Sequence, residues 1–552
     1  MSLTPPPLNR RGTPSVFRRA LTRLSPGNVT HDGAVRSWIP WLAGCVSTAF
    51  LLFRLLVPTT VGMGDQGDGR RLLCPLGVAN VRPWAYSDFT KYIYPRWEPH
   101  QWFGEACGAD GSGEPYYSSQ TLLLWPAKAL SALLGWGPGL DTRAVAIMCC
   151  IVFGVLTAFL ITQLPGRVGF RLLAAALFTL VSADGIFADF FVSGYSEPAA
   201  FLGVYATVIA LLYWWRHPRH RLIGLLLVLA AAAFMIAAKT QTASFIPVIV
   251  LALCWQPESD RPLKFRDSKV LGIDARVRRR RPGRAKIGRY APALAGLLLL
   301  GTFTAAFSNA QPQRFTELNL YNAVFTEMLP HSPAPDADLR WLGLDPSFID
   351  SSGTTVASSN AAVYNPHYEQ FLQKVSLPKI GLFYISHPDR LASMASRGLD
   401  AMTQPELGYL GSYEEGTGHA PHEKERRVAP VLLIFTAFRD APGLLVGLQL
   451  TTLFLGLGAA FSARSSRAGR AVGKTAVVLV PAIWLQFWAV MMTEGQSEIY
   501  KHLIIADYMT ALCLPLLLIL IVIQLRSQIP APALEPDSRG ESPPQVSDDV
   551  KV

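Results

Sequence analysis

The stretch Gly64-Asp65-Gln66-Gly67-Asp68-Gly69-Arg70-Arg71 places two carboxylates three residues apart and follows them at once with two guanidiniums. A carboxylate in such a setting can take a proton from an attacking group, and neighbouring cations can stabilise an anion as it forms. Three further groups combine similar residue types. Tyr195-Ser196-Glu197-Pro198 follows Asp184 and Asp189, Lys239-Thr240-Gln241 interrupts two apolar runs, and Glu498, Tyr500, Lys501, His502 and Asp507 open the last apolar run. Polar residues at a membrane edge are costly where they serve nothing. These three groups at one level predict a shared cleft, although Glu197 and Asp507 also suit ordinary helix starts.

The elements that must hold these residues are apolar helices. Half of the 552 residues are hydrophobic and 16% are charged, with a mean hydropathy of +0.26. This balance excludes a soluble enzyme and predicts an all-α polytopic membrane protein, since several runs approach the ~20 apolar residues that cross a bilayer. About ten spans are expected, near 38–57, 144–164, 170–186, 198–215, 222–238, 243–255, 290–307, 442–463, 472–492 and 504–525. The basic loops then alternate to one side. Arg10, Arg11, Arg18, Arg19 and Arg23 share it with Arg167, Arg216, Arg219, Arg276, Arg278 to Arg281, Arg464, Arg467, Arg470 and Arg526. The positive-inside rule makes that side the cytoplasm, holding both termini of a multi-pass plasma-membrane protein. The net charge of +11 then reflects topology and attraction to membrane lipids, not binding of nucleic acid.

Residues 37–527 form the expected membrane domain, with outer loops at about 58–143 and 308–443, flanked by disordered cytoplasmic tails at 1–36 and 528–552. The tails are rich in Pro, Ser and charge and hold too few large apolar residues to order. No cleavable signal peptide is expected, because the first apolar run follows more than thirty mostly polar residues and is long enough to span. The first outer loop mixes carboxylates with Trp84, Tyr86, Tyr92, Tyr94, Trp97 and Trp102. Such rings suit sugar faces, and equally an aromatic belt at the headgroups. Residues 120–134 read as an amphipathic helix lying on the membrane. Cys74 and Cys107 share this loop and can either bridge or stay as two thiols, since a sequence does not give their separation. The other five cysteines fall in spans and read as small apolar packing residues. In the second outer segment, residues 375–402 carry helical apolar spacing around Phe383, Tyr384, Leu391 and Met394, and the scattered histidines lack ligand spacing. That segment is read as a recognition surface.

The first long span, the acidic Gly-Asp-x-Gly-Asp-Gly-Arg start of the outer loop, Tyr195-Ser196-Glu197-Pro198 before a later span, and the Glu498 to Leu503 stretch before the last one together resemble the integral-membrane GT-C glycosyltransferases. Within these the chain is most similar to the WsfD-like hexose transferases of glycan biosynthesis. The resemblance covers roughly Trp38 to Leu525. It implies transfer of a sugar, a hexose, from a polyprenyl-phosphate-linked donor to a glycan, lipid or protein acceptor on the extracytoplasmic face. The family's acidic residue falls on Asp68, with Asp65 its close rival, as the base that takes the acceptor's proton. Arg70, Arg71, Lys239, Lys501 and His502 then face the departing phosphate, and Tyr195, Glu197, Gln241 and Glu498 the sugar or acceptor. Glu197 with Asp65 and Asp68 also offers oxygen ligands to a divalent cation. Two other classes stay open: a flippase or transporter for lipid-linked saccharides, which would place charges at the midplane of symmetric halves, and a noncatalytic scaffold, which needs no aligned acidic cluster.

Overall fold

The structure, a computed structural model, describes residues 36–63, 69–80, 91–99, 116–257, 268–270, 273–275 and 286–527. Its main helices, in chain order, are α1 (Trp38–Leu56), α2 (Thr121–Leu133), α3 (Thr142–Gln163), α4 (Val168–Ser182), α5 (Glu197–Arg216), α6 (Arg221–Ile236), α7 (Ile246–Cys254), α8 (Lys286–Asn309), α9 (Leu377–Ser386), α10 (Pro388–Met402), α11 (Pro430–Ala437), α12 (Gly443–Phe461), α13 (Arg467–Thr493) and α14 (Ile499–Ser527). The strands are short: β1 (Val61–Met63), β2 (Val78–Asn80), β3 (Arg96–Pro99), β4 (Leu140–Asp141), β5 (Ser268–Val270), β6 (Ile273–Ala275) and β7 (Leu410–Tyr413). β1 pairs antiparallel with β7, β3 joins β2 and β4, and β5 pairs with β6.

Among the described residues, eight helices are long and apolar enough to cross a membrane. A ninth span results if Val168–Ser182 and Gly185–Val192, bent by 65°, are one broken crossing. The protein is thus an all-α polytopic membrane protein, with two corrections to the ten regular spans expected. The third expected span is not continuous. Asp184 interrupts it, accepting from Ile186 N at 3.2 Å and from Val431 N and Leu432 N at 2.6 and 3.2 Å, so that one buried carboxylate caps both the next turn and α11. The sixth is only the shorter apolar helix Thr240–Cys254, because Thr240, Gln241 and Thr242 occupy what would be its first apolar turn. Its two ends still reach opposite layers. Gln241 Nε2 donates to His502 O at 3.4 Å, while at the far end Trp215 Nε1 donates to Trp255 O at 2.6 Å and the Trp255 ring stacks on Phe461.

Close helix crossings rest on small residues, as expected where lipid tails are as apolar as the side chains. At the α1–α3 crossing a Cβ on Gly154 would stand 2.0 Å from Thr48 Oγ1 and 2.5 Å from Gly44 O. Helix α5 is central, with 89% of its apolar window buried; α8, at 17%, is peripheral. α2 matches the amphipathic helix expected at 120–134, burying Leu123, Leu124 and Ala127 and exposing Leu122, Trp125 and Leu133. The expected helical stretch at 375–402 forms two helices, α9 and α10, separated at His387-Pro388. The C-terminal ends of α6 and α13 and the N-terminal ends of α5 and α14 meet in one layer, here termed the site side.

Candidate functional site

Each side chain of the cluster is placed by a helix end. Glu197 occupies the first turn of α5, where Pro198 needs no N–H partner and the positive end of the helix favours a carboxylate. Helix α6 stops at Ile236. Its last carbonyls are taken by Ser118 and Ser119: Ser119 N and Oγ donate to Ala237 O and Phe234 O at 2.7 Å each, and Ser118 Oγ to Ala238 O at 2.8 Å. Lys239 follows in extended conformation, freed to reach sideways. On the other flank α13 ends at Thr493. Gly495 turns the chain at φ +54°, where a Cβ would meet Thr326 Oγ1 and Glu327 Cβ within 2.8 Å. Glu498, itself at φ +46°, presents its carbonyl to Lys501 N and His502 N and so starts α14.

The result is a continuous polar network. Lys239 Nζ lies 2.8 Å from Glu197 Oε1 and 3.4 Å from His502 Nδ1. His502 Nε2 faces Glu494 Oε2 at 3.8 Å. Lys501 Nζ lies 3.1 Å from Glu498 Oε2 and 4.9 Å from the centre of the Tyr195 ring, a cation–π distance. Tyr409 OH donates to Glu498 Oε1 at 3.4 Å. Tyr116 bonds Ser196 and the backbone of Thr240, and burial, with Glu197 adding to it, pushes its phenol up. Glu197 is 1% exposed and Lys501 3%, so charge interactions here are screened far less than at a wet surface. Two buried acceptor atoms, Glu197 Oε2 and Gln241 Oε1, have no hydrogen-bond partner among the described residues. Such atoms cost free energy unless a ligand or water meets them.

Seven residues expected at the site are thus gathered: Tyr195, Glu197, Lys239, Gln241, Glu498, Lys501 and His502. Asp65 and Asp68 lie outside the described residues, as does Cys107. The backbone of Arg70 and Arg71 forms the short helical turn Arg70–Leu73; their side chains, and that of Cys74, lie outside the described set. The backbone just after Asp68 does reach the cluster, since a Cβ on Gly69 would sit 3.7 Å from Gly194 C and O, next to Tyr195. Trp97 covers Gly194 from the other side. Asp184 and Asp189 belong elsewhere: Asp189 and Glu425 pair with the buried Arg54. Asp507 lies about 8 Å beyond His502 along α14 at ~1.5 Å per residue, and neither of its carboxylate oxygens has a partner among the described residues. Of the outer-segment histidines, His331 and His387 hold local backbone carbonyls at 2.8 Å. No group of three His, Cys, Asp or Glu among the described residues is arranged to hold a metal ion.

Glu494 joins the site without having been expected, and Tyr116 and Asn322 join it from the two outer segments. Asn322 bonds the Glu494 carboxyl from the π-helical turn Asn322–Met328, a geometry that tends to mark functional segments. Arg397 and Gln496 clamp the adjacent Glu327, the latter at 2.6 Å, fixing this turn to the Gly495 bend. The sequence shows Glu494 as a carboxylate directly behind a long apolar run, but not the turn that folds it back onto His502.

Membraneward of the network is an apolar cavity lined by Val204, Val208, Met235, Phe245, Val478 and Met509, among others. Val204 follows Glu197, and Met509 follows His502, by two helical turns, about 10 Å at ~1.5 Å per residue. Cationic and hydrogen-bonding groups therefore sit at the mouth of a hydrocarbon-lined space.

The chain belongs to the family of the YfdI N-terminal transmembrane domain, whose family model matches residues 34–533. This membership makes it a membrane glycosyltransferase-like protein. No curated protein and no solved structure matches it.

Proposed function

We propose that the protein moves a hexose from a polyprenyl-phosphate-linked donor to a glycan, lipid or protein acceptor on the extracytoplasmic face of the plasma membrane. The observation that carries this reading is that Lys239 and Lys501, paired with Glu197 Oε1 and Glu498 Oε2, share one layer above an apolar cavity with two acceptors, Glu197 Oε2 and Gln241 Oε1, that have no partner among the described residues. Ammoniums suit a phosphate, the acceptor oxygens suit sugar hydroxyls, and the apolar lining beneath them suits contact with an isoprenoid chain. The arginine-rich loops support the sidedness, and the GT-C resemblance supports the donor class and the hexose.

In this reading the acceptor hydroxyl attacks the anomeric carbon and passes its proton to Asp68 or Asp65. The bond from the anomeric carbon to the phosphate oxygen breaks, and the lipid phosphate leaves with the electron pair. Lys239 and Lys501 stabilise the charge that develops on it, which is where preorganised cations lower a barrier most. Glu197, held by Lys239, and Gln241 orient the sugar.

The test is incubation of the purified protein with a panel of polyprenyl-phosphate hexoses and a cell-envelope extract that supplies the acceptor, alongside Lys501→Ala and the pair Asp65→Asn and Asp68→Asn. Release of polyprenyl phosphate by the wild type, lost in Lys501→Ala and in the double Asp variant, is expected. Undiminished turnover in the double Asp variant would refute the assigned base, and no turnover with any donor would refute the donor class.

A further inference from the structure

His502 is held between a cation and a carboxylate. Lys239 Nζ has only protons to give, so His502 Nδ1, 3.4 Å away, is the acceptor and the ring proton sits on Nε2, which faces Glu494 Oε2 at 3.8 Å. Among the described residues, polar groups reach Glu494 from several elements. Lys239 comes from the turn after α6, Lys501 and His502 from α14, Glu498 from the turn before it, Asn322 from the π-helical turn and Tyr116 from the segment before α2. Gln241 holds the His502 carbonyl, and Glu197 lies on the far side of Lys239.

With Glu197, Glu494 and Glu498 ionised, Lys239 and Lys501 charged and His502 neutral, the described residues of this network carry three negative charges against two positive. An arriving phosphodiester anion makes the imbalance worse in a site screened from water. Burial already raises the Glu494 carboxyl above the ordinary carboxylate range, and what opposes the rise is Lys239 and Lys501. An anion that engages both ammoniums cancels that opposition. The ligand thereby increases the affinity of Glu494 and its partner for a proton.

We propose that this site takes up its phosphate-bearing ligand together with one proton, held by the Glu494–His502 pair. The proposal rests on the donor-site reading above. The pair holds the extra proton as a unit, whether as carboxylic acid and imidazole or as carboxylate and imidazolium. Linkage then makes ligand affinity fall as pH rises above the titration of the empty pair, by up to about tenfold per pH unit.

The experiment uses the full chain in detergent and methyl farnesyl phosphate, a phosphodiester that stays a monoanion between pH 5 and 9. Calorimetry in buffers of different ionisation enthalpy counts the protons taken up per ligand bound. Uptake approaching one proton is expected in the wild type, dropping below half of that in Glu494→Gln with a flattened pH dependence. Binding without uptake, or equal uptake in Glu494→Gln, would overturn the inference and leave the donor site standing. Absence of binding by the wild type, or binding unaffected by Lys501→Ala, would overturn the donor-site reading itself. Should Glu494→Gln not fold, His502→Gln is judged by the same criterion.

Discussion

Lys239 Nζ lies 2.8 Å from Glu197 Oε1 and so ties the turn after α6 to the first turn of α5. The two partners are unequally enclosed, with side-chain exposures of 14% and 1%. Lys239→Met strands a carboxylate that water does not reach, whereas Glu197→Gln leaves an ammonium with partial access to solvent and to His502. Breaking a buried pair from one side costs about 3–5 kcal/mol when the survivor is fully enclosed. Lys239→Met is therefore expected to approach about 3 kcal/mol and to exceed Glu197→Gln, and the combined variant to recover part of the loss. Thermal unfolding in detergent ranks the three, and a larger loss in Glu197→Gln would contradict this account.

At the end of α1, Arg54 is 2% exposed and pairs with both Asp189 and Glu425, while Arg427 reaches back to Val57 O and Arg54 O at 2.6 and 2.7 Å. This junction, with the β1–β7 pairing, ties the β7 region to the end of α1. Arg54→Met leaves two carboxylates without their shared cation. Limited proteolysis is expected to cut residues 405–429 several times faster in that variant than in the wild type, with the spans still protected. Uniform loss of protection along the chain would point to a different role.

The membrane architecture was legible because burial in lipid demands long apolar runs, and those runs fall where α1, α3, α5, α6, α8, α12, α13 and α14 form. The break at Asp184 was not, since its capping partners Val431 and Leu432 lie far along the chain. In the same way, the polar interruptions at Tyr195 to Glu197, Lys239 to Gln241 and Glu498 to His502 could be read as one level because nothing but a shared site or water repays them. Glu494 escaped because it precedes the Gly495 bend, and a left-handed turn that brings it back onto His502 has no hydropathy signature. The place of Tyr116 against Ser196 is hidden for a related reason. It reaches Ser196 only because Ser118 and Ser119 cap α6, and because Gln311 grips Tyr117 through both backbone atoms at 3.0 and 3.3 Å.

The raised Glu494 carboxyl also predicts how stability responds to pH. In the unfolded chain this group ionises near the ordinary glutamate value, ~4.3, while in the folded protein it holds its proton to higher pH. The unfolded state therefore releases a proton first as pH rises, and folding stability falls between the two titrations and then levels off. Glu494→Gln removes this dependence. The melting-temperature difference between variant and wild type is expected to shift in the variant's favour from about pH 4.3 upward; a shift in the opposite direction would mean that the ion pairs with Lys239 and Lys501 outweigh burial.

Asp507 is fully enclosed, and both of its oxygens lack partners among the described residues. A carboxyl in that position contributes no visible interaction to the fold. Asp507→Leu, which removes both polar atoms at similar size, is expected to leave stability unchanged or to raise it by about 1–3 kcal/mol, the scale of an unsatisfied buried polar group. A loss of similar size would reveal a partner for the carboxyl.

The apolar cavity between α5, α6, α13 and α14 tests the donor reading through chain length. Val208→Trp places an indole in a space lined by Val204, Met235 and Val478. An isoprenoid tail that leaves the cavity returns to a bilayer as apolar as the protein, so little hydrophobic free energy separates the two places. Shape is what the substitution changes, and the expected effect is correspondingly modest. KM for a long-chain polyprenyl-phosphate sugar should rise about three- to tenfold, or ~0.7 to 1.4 kcal/mol, with kcat retained, because Lys239, Lys501 and Glu197 stay in place. A donor with a chain too short to pass two turns below Glu197 should show no change. Equal losses for long and short donors would place the tail outside this cavity.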